Sequence, residues 1–307
     1  MRNLFIAAIF FILSPVATAE IYRHVDENGR VHYSDVKQDQ LGQTQVELKT
    51  EKNYWKKLDI SVEGIGVDIS KEDVARIQED VNNVYQFFDR KLYFDIYQTI
   101  PVKVKILKDA DSYDEFIRAN ITHYYGRTGG MFFPRLNIIA TYMRKDKERF
   151  FRVVKHETSH AIIHTTSKFV PSWLDEGLAE NMEMLISDQG SLVLNHHDSG
   201  SRFVKAVDKK GQLMGLREFL SLPSTDWRKK DRATDYVMHS QAGELTRMLL
   251  SSADQRSFLI KLVHGFKQGS RTLTFWIVEK EYVGGMDVLE LKWSQWVRRE
   301  DTSSIRL

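Results

Sequence analysis

Val153 to Glu180 reads VVKHETSHAIIHTTSKFVPSWLDEGLAE. Its centre is His156-Glu157-Thr158-Ser159-His160. On a helix, positions i and i+4 share one face about one turn apart, so the two imidazoles can meet on a single metal ion. Glu157 lies about 100° round the helix from His156. That offset sets its carboxylate beside the ion, where it can take a proton from a metal-bound water. The flanks Val153, Val154, Ala161 and Ile162 are apolar, as a buried active-site helix requires, and no proline interrupts residues 146–165. Two histidines leave a catalytic zinc short of its usual third protein ligand. Pro171-Ser172 opens a second helix that carries the carboxylates of Asp175, Glu176 and Glu180.

Outward from this pair, the chain upstream reads as α/β. A strand is expected within residues 59–68. Ser70 then caps a helix with Val74, Ile77, Val81, Val84 and Phe88 on one stripe. Val102 to Ile106 alternates as a half-buried strand, 112–119 is a short helix, and Met131–Phe133 and Asn137–Ala140 are strands after a glycine-rich loop. Downstream, helical periodicity runs near 146–165, 173–186, 216–221, 232–251, 254–265, 272–281 and 287–298. The expected fold class is α+β: a small mixed sheet with the two site helices, then a mainly helical C-terminal lobe. Residues 54–307 form one such domain, with an α/β part at 54–144 and a helical part at 145–307.

The chain has 307 residues, 44 Lys plus Arg, 42 Asp plus Glu, and no cysteine. A net charge of +2 gives no general attraction to nucleic acid. Without cysteine there are no disulfides, thiolate zinc sites or thiol nucleophiles, so any metal is held by His, Asp or Glu. Residues 1–19, MRNLFIAAIFFILSPVATA, read as an export signal: Arg2, an apolar run from Leu4 to Leu13, and the small residues Ala17 and Ala19 before cleavage. The run is too short to span a bilayer, and no later segment is long enough. The mature chain is expected to be periplasmic or secreted, with no membrane span. Residues 20–36 form a hairpin around Asn28-Gly29. Residues 37–53 are polar and read as a linker.

The hairpin resembles a short N-terminal module of uncharacterised function in bacterial envelope proteins, through Tyr22, Asp26, Gly29, Tyr33, Ser34 and Asp35. Both a packing role and contact with a cell-envelope partner stay open for it. From roughly 55 to 300 the chain resembles zinc metallopeptidases of the gluzincin clan, which includes thermolysin and the zinc aminopeptidases. His156-Glu157-x-x-His160 and Trp173-Leu174-Asp175-Glu176-Gly177 carry the likeness. The interval between them is shorter than in the aminopeptidases and is closer to compact bacterial members. The resemblance implies Zn²⁺ held by His156, His160 and Glu176, with Glu157 as general base. It implies Glu180, one turn on, as the carboxylate that orients His156; on the sequence alone the two glutamates can exchange roles. It further implies Tyr236 as a donor to the oxyanion, with His239 as the alternative. Gly130 and Met131 would bind substrate backbone on an edge strand before the zinc helix. The aminopeptidases place a glutamate for the free N-terminal amine where this chain has Phe132, so an endopeptidase acting on peptides or proteins is the expectation.

His164 continues the series 156, 160, 164, but at i+8 it drifts about 80° and rises about 12 Å. It is therefore read as structural. His196-His197-Asp198 reads as a solvated loop. Two other functional readings remain open: hydrolysis of peptidoglycan stem peptides, and a non-catalytic zinc-containing envelope module.

Overall fold

The computed structural model describes residues 59–96, 100–121, 128–234, 236–300 and 302–307, together with three upstream strands. The chain divides into two compact units, 1–56 and 57–307. The export signal, the hairpin turn and most of the expected linker lie outside the described residues.

In the first unit, β1 (Ile21–Val25) pairs antiparallel with β2 (Val31–Ser34), in the register Tyr22 opposite Ser34. A third strand, β3 (Thr44–Val46), pairs with the other edge of β1. This corrects the linker reading, because a strand falls inside residues 37–53. Two strands alone are marginal in water, and the β-branched Thr44 and Val46 suit a short third strand.

The second unit is α+β. It begins with β4 (Asp59–Ile65), α1 (Lys71–Gln86) and β5 (Pro101–Leu107), a crossover that makes β4 and β5 parallel. Ser70 caps α1, its Oγ accepting from the Asp73 N–H at 3.1 Å. Ile77, Val81 and Val84 form the buried stripe. A π turn, Phe87–Lys91, extends the helix, and α2 (Ala110–Asn120) follows β5. Then come β6 (Gly130–Phe133) and β7 (Ile138–Tyr142), an antiparallel pair. The sheet order is β4-β5-β7-β6, with β5 and β7 parallel, so β6 is an edge strand.

Next, α3 (Lys147–Thr166) and α4 (Ser172–Glu183) are the two site helices. A hairpin that the periodicity did not reveal follows: β8 (Leu185–Asp188) and β9 (Ser191–Leu194). Its two-residue turn, Gln189-Gly190, has both residues at positive φ (48° and 77°), which matches the twist of antiparallel strands. The lobe continues with α5 (Asp198–Lys209), α6 (Leu216–Ser221), α7 (Ser224–Ala233), α8 (Val237–Leu250), α9 (Ala253–Lys267), α10 (Thr274–Glu281) and α11 (Gly285–Arg298). A short β10 (Ile305–Arg306) returns to pair with β9. The buried Arg247 guanidinium donates to Asn195 O at 2.8 Å and to Ser303 O at 2.9 Å, which ties this return to α8.

The helix expected at 232–251 is two helices, broken at 234–236, where Tyr236 takes φ 63°. One core runs through the sheet, α1, α3, α4 and the helical lobe. Gly177 of the Trp-Leu-Asp-Glu-Gly motif sets the closest helix contact: a Cβ there would stand 2.6 Å from Ala242 O and 2.2 Å from Thr246 Oγ1 on α8. Among the described residues, no helix is long and apolar enough to cross a membrane.

Candidate metal centre

Helix α3 starts at Asp146, whose Oδ1 accepts from the Arg149 N–H at 3.0 Å. Phe150, Val154, Ala161 and Ile162 anchor it in the core, and this sets the opposite stripe toward an open cleft. His156 and His160 share that stripe, with ring centroids 5.0 Å apart. Helix α4 is fixed across from them by Trp173, whose Nε1 donates to Thr274 Oγ1 at 2.9 Å. Glu176 then projects between the imidazoles. Its Oε2 lies 3.5 Å from His156 Nε2 and 3.4 Å from His160 Nε2.

Those separations suit a shared ion. Two donors about 2.1 Å from one zinc, at a tetrahedral angle, stand roughly 3.4 Å apart. The outer nitrogens agree with this. His156 Nδ1 is 3.0 Å from Glu183 Oε1, and His160 Nδ1 is 2.9 Å from Asp175 Oδ1. A carboxylate on each Nδ1 holds the proton there and turns the Nε2 lone pair toward Glu176. The donor set of His156, His160 and Glu176 therefore fits Zn²⁺. Without an ion, burial opposes charge on both imidazoles, but Glu176 and the outer carboxylates outweigh it and hold both pKa values well above the usual imidazole range.

The orienting partner of His156 is Glu183, and this corrects the assignment of Glu180. Position i+7 from Glu176 returns to within about 20° of its direction, whereas i+4 overshoots by about 40°. Glu180 turns instead toward α8, where a Cβ on Gly243 would stand 3.0 Å from its own Cβ. Burial, reinforced by Glu183, pushes the Glu180 carboxyl up. Its oxygen is still within 4.8 Å of the Glu183 and His156 donors. Asp175, expected only as part of the motif, serves both His160 and His164, whose Nε2 is 3.5 Å from Asp175 Oδ2. His164 also packs against Phe132, and with His160 and Asp175 it forms a second group of donors within 4.8 Å of one another.

Residues 196 and 197 lie outside helix and strand, as expected of a loop, and Asp198 is exposed, but the histidines turn inward. The His196 side chain is 7% exposed, and Asp198 begins α5. His197 caps that helix: its Nδ1 accepts from the Gly200 N–H at 2.9 Å, and its Nε2 lies 3.7 Å from Glu183 Oε2. An imidazole that accepts at Nδ1 carries its proton at Nε2. His197 therefore presents an N–H to the carboxylate that orients His156.

The cleft is about 830 Å³ and is lined by Gly130, Met131 and Phe132 of the β6 edge as well as by the metal ligands. Gly130 is required by proximity, since a Cβ would stand 2.6 Å from Val153 Cγ1 and 3.0 Å from Glu157 Cγ. Burial pushes the Glu157 carboxyl up, while the two imidazoles and the Phe132 backbone N–H pull the other way. On the facing wall, Tyr236 caps α8; the residue is 47% exposed and its ring centroid is 5.5 Å from that of His239. His239 is the residue that reaches the centre, its Nε2 lying 3.2 Å from Glu176 Oε2. Its Nδ1 is 2.6 Å from Asp231 Oδ2, a close contact poorly aligned for a linear hydrogen bond. Burial works against charge on His239, yet Glu176 and Asp231 carry its pKa up to about 10.

A family described as a domain of unknown function (DUF4124) matches residues 8–54. That stretch covers the N-terminal strands and stops before β4, so it carries no information on the metal centre. No curated protein matches the chain.

Proposed function

We propose that the second unit is a zinc metallopeptidase that cuts within peptide chains, and that residues 1–19 export it to the periplasm or beyond. The observation that carries this reading is the meeting of His156 Nε2, His160 Nε2 and Glu176 Oε2 at ligand spacing, with Glu157 beside them. Zinc held there supplies Lewis acidity toward water and toward a peptide carbonyl. Glu157 takes the proton of the attacking water and returns it to the leaving amine; its raised pKa brings it closer to the range where one carboxyl can do both. His239 donates from Nε2 to the carbonyl oxygen as charge develops, and Tyr236 stands next to it on the same wall. The free edge of β6 offers backbone groups to an extended substrate.

The shape of the cleft favours internal cleavage. Arg149, Val153, His156, His160 and His164 all line it from α3. The span from 149 to 164 is about 22 Å of helix, the length of roughly six or seven extended residues. Phe132 offers no carboxylate for a free N-terminus.

Metal analysis together with cleavage of a peptide library tests the reading. Wild type is expected to hold zinc and cleave; Glu157→Gln is expected to hold the same zinc and lose cleavage. Unchanged hydrolysis by Glu157→Gln, or a wild-type chain that takes up no zinc, overturns it.

A further inference from the structure

Among the described residues, the exposed charges lining the cleft are of one sign. Among the described residues, the cleft carboxylates are already committed. Glu176 lies among three imidazoles, and Asp175, Glu183 and Asp231 each face one or two. Glu157 is buried, and the half-buried Glu180 lies with its Cβ against Gly243 of α8 and within 4.8 Å of the His156 and Glu183 donors. Among the described residues, the exposed lining side chains on which a substrate charge can act are Arg149 and Arg228. Arg149 forms no ion pair among the described residues. Arg228 is exposed and donates from Nε to Ser172 Oγ at 2.9 Å.

Their placement is as informative as their sign. Arg149 lies seven residues before His156 on α3, about 10 Å along the axis, or three residues of extended peptide. Arg228 stands toward the other end, where it and His164 line both the cleft and an adjoining pocket that includes Ser224 and Arg271. The cations thus bracket the metal centre. A carboxylate near either one gains Coulomb energy, and a lysine there is repelled.

We propose that this site selects acidic peptides, with Asp or Glu at about the second to fourth residue on either side of the bond held over His156, His160 and Glu176. This rests on the peptidase reading for its substrate class, but it is tested by binding as well as by turnover. The probes are fluorescein-labelled decapeptides carrying Glu, Gln or Lys three residues either side of the centre. They are titrated into the zinc-loaded full chain bearing Glu157→Gln, and cleavage by wild type is followed in parallel.

The Glu peptide is expected to bind about three- to tenfold more tightly than the Lys peptide at low ionic strength, with the gap closing in high salt. Arg149→Glu and Arg228→Glu, both exposed positions with native folding checked by circular dichroism, are expected to invert the order. Equal affinity for the three peptides, or preference for the Lys peptide by the unreversed protein, overturns the proposal even if all are cleaved. Tight, charge-selective binding without cleavage by wild type upholds it and removes the peptidase reading instead.

Discussion

The two walls of the cleft are built differently. On the α3–α4 wall, each metal-facing imidazole has its far nitrogen held by a carboxylate, Glu183 for His156 and Asp175 for His160, at 3.0 and 2.9 Å. Behind them Gly177 brings α8 to within van der Waals reach, so α4 has little room to shift. The α7–α8 wall hangs on the junction at 234–236, with Tyr236 in left-handed backbone and half exposed. His239 meets Asp231 closely but out of line. The difference teaches which part of the chemistry is preorganised. On the first wall each imidazole is fixed at Nδ1, whereas on the second the His239 ring has no aligned hydrogen bond at Nδ1, although its backbone N–H is held by Asp231 Oδ1 at 3.2 Å.

The sharpest test of the rigid wall is pH. In the metal-free protein both His156 and His160 hold their protons well above the usual range, because Glu176 and the outer carboxylates favour the imidazolium against burial. An ion must displace one proton from each Nε2. Zinc affinity is therefore expected to rise with pH by up to about 100-fold per unit, the slope for two protons released. Stability of the metal-free protein runs the opposite way. A raised folded pKa gives stabilisation that is complete below the unfolded value, near 6.5, and is lost as pH climbs through the folded one. Chelator competition between pH 5.5 and 8, with urea unfolding in EDTA over a wider range, measures both. A zinc affinity that does not change with pH would mean that the imidazoles are not joined to Glu176 as described.

Next in size is the contrast between two neighbours on α4. Glu183→Gln removes the carboxylate on His156 Nδ1 and is expected to weaken zinc binding about 10- to 100-fold, the range for such outer partners. Glu180→Gln is expected to cost less than threefold, since it is Glu183 and not Glu180 that hydrogen-bonds His156 Nδ1. Equal losses would return Glu180 to the orienting role that the gluzincin resemblance implies.

That reversal shows where the sequence stops being legible. His156, Glu157 and His160 are readable because helical spacing alone sets their geometry. Glu176 is readable through the motif around it. Choosing between positions 180 and 183 needs the rotation of α4 against α3, which is fixed by Gly177 on Thr246 and Ala242, partners some 65 residues downstream. The same holds for α5, whose polar start His196-His197-Asp198-Ser199-Gly200 resembles a loop until Glu183 supplies a partner for His197. The break at 234–236 is hidden because helical periodicity continues on both sides of it. β10 is two residues long and exists only through β9.

A smaller effect probes the brace behind Glu183. A methyl group on Gly200 would stand 2.7 Å from His197 Nδ1, where the ring accepts the Gly200 N–H. Gly200→Ala is expected to push the ring off that bond, release its Nε2 from Glu183 and weaken zinc binding by less than about tenfold, below the loss from Glu183→Gln itself. His197→Gln, which retains a donor, is expected to recover part of that loss. An affinity unchanged by Gly200→Ala would confine the preorganised wall to α3 and α4.

The smallest expected effect lies on the α7–α8 wall. Left-handed backbone is costly for a residue with a Cβ, and Tyr236 adopts it at φ 63°. Tyr236→Gly removes that strain but also frees the unfolded chain and gives up the ring contact with His239. The balance is expected to be within about 1 kcal/mol of wild type in urea unfolding. Tyr236→Phe keeps the strain and the ring, so it isolates the hydroxyl. If the hydroxyl assists the carbonyl oxygen, kcat falls in Tyr236→Phe while zinc affinity and unfolding midpoint stay put. A shift in zinc affinity for Tyr236→Phe would couple the two walls and remove the contrast between them. A large loss of stability in Tyr236→Gly would show that the 234–236 junction is held by the tyrosine ring, and that this wall is as fixed as the other.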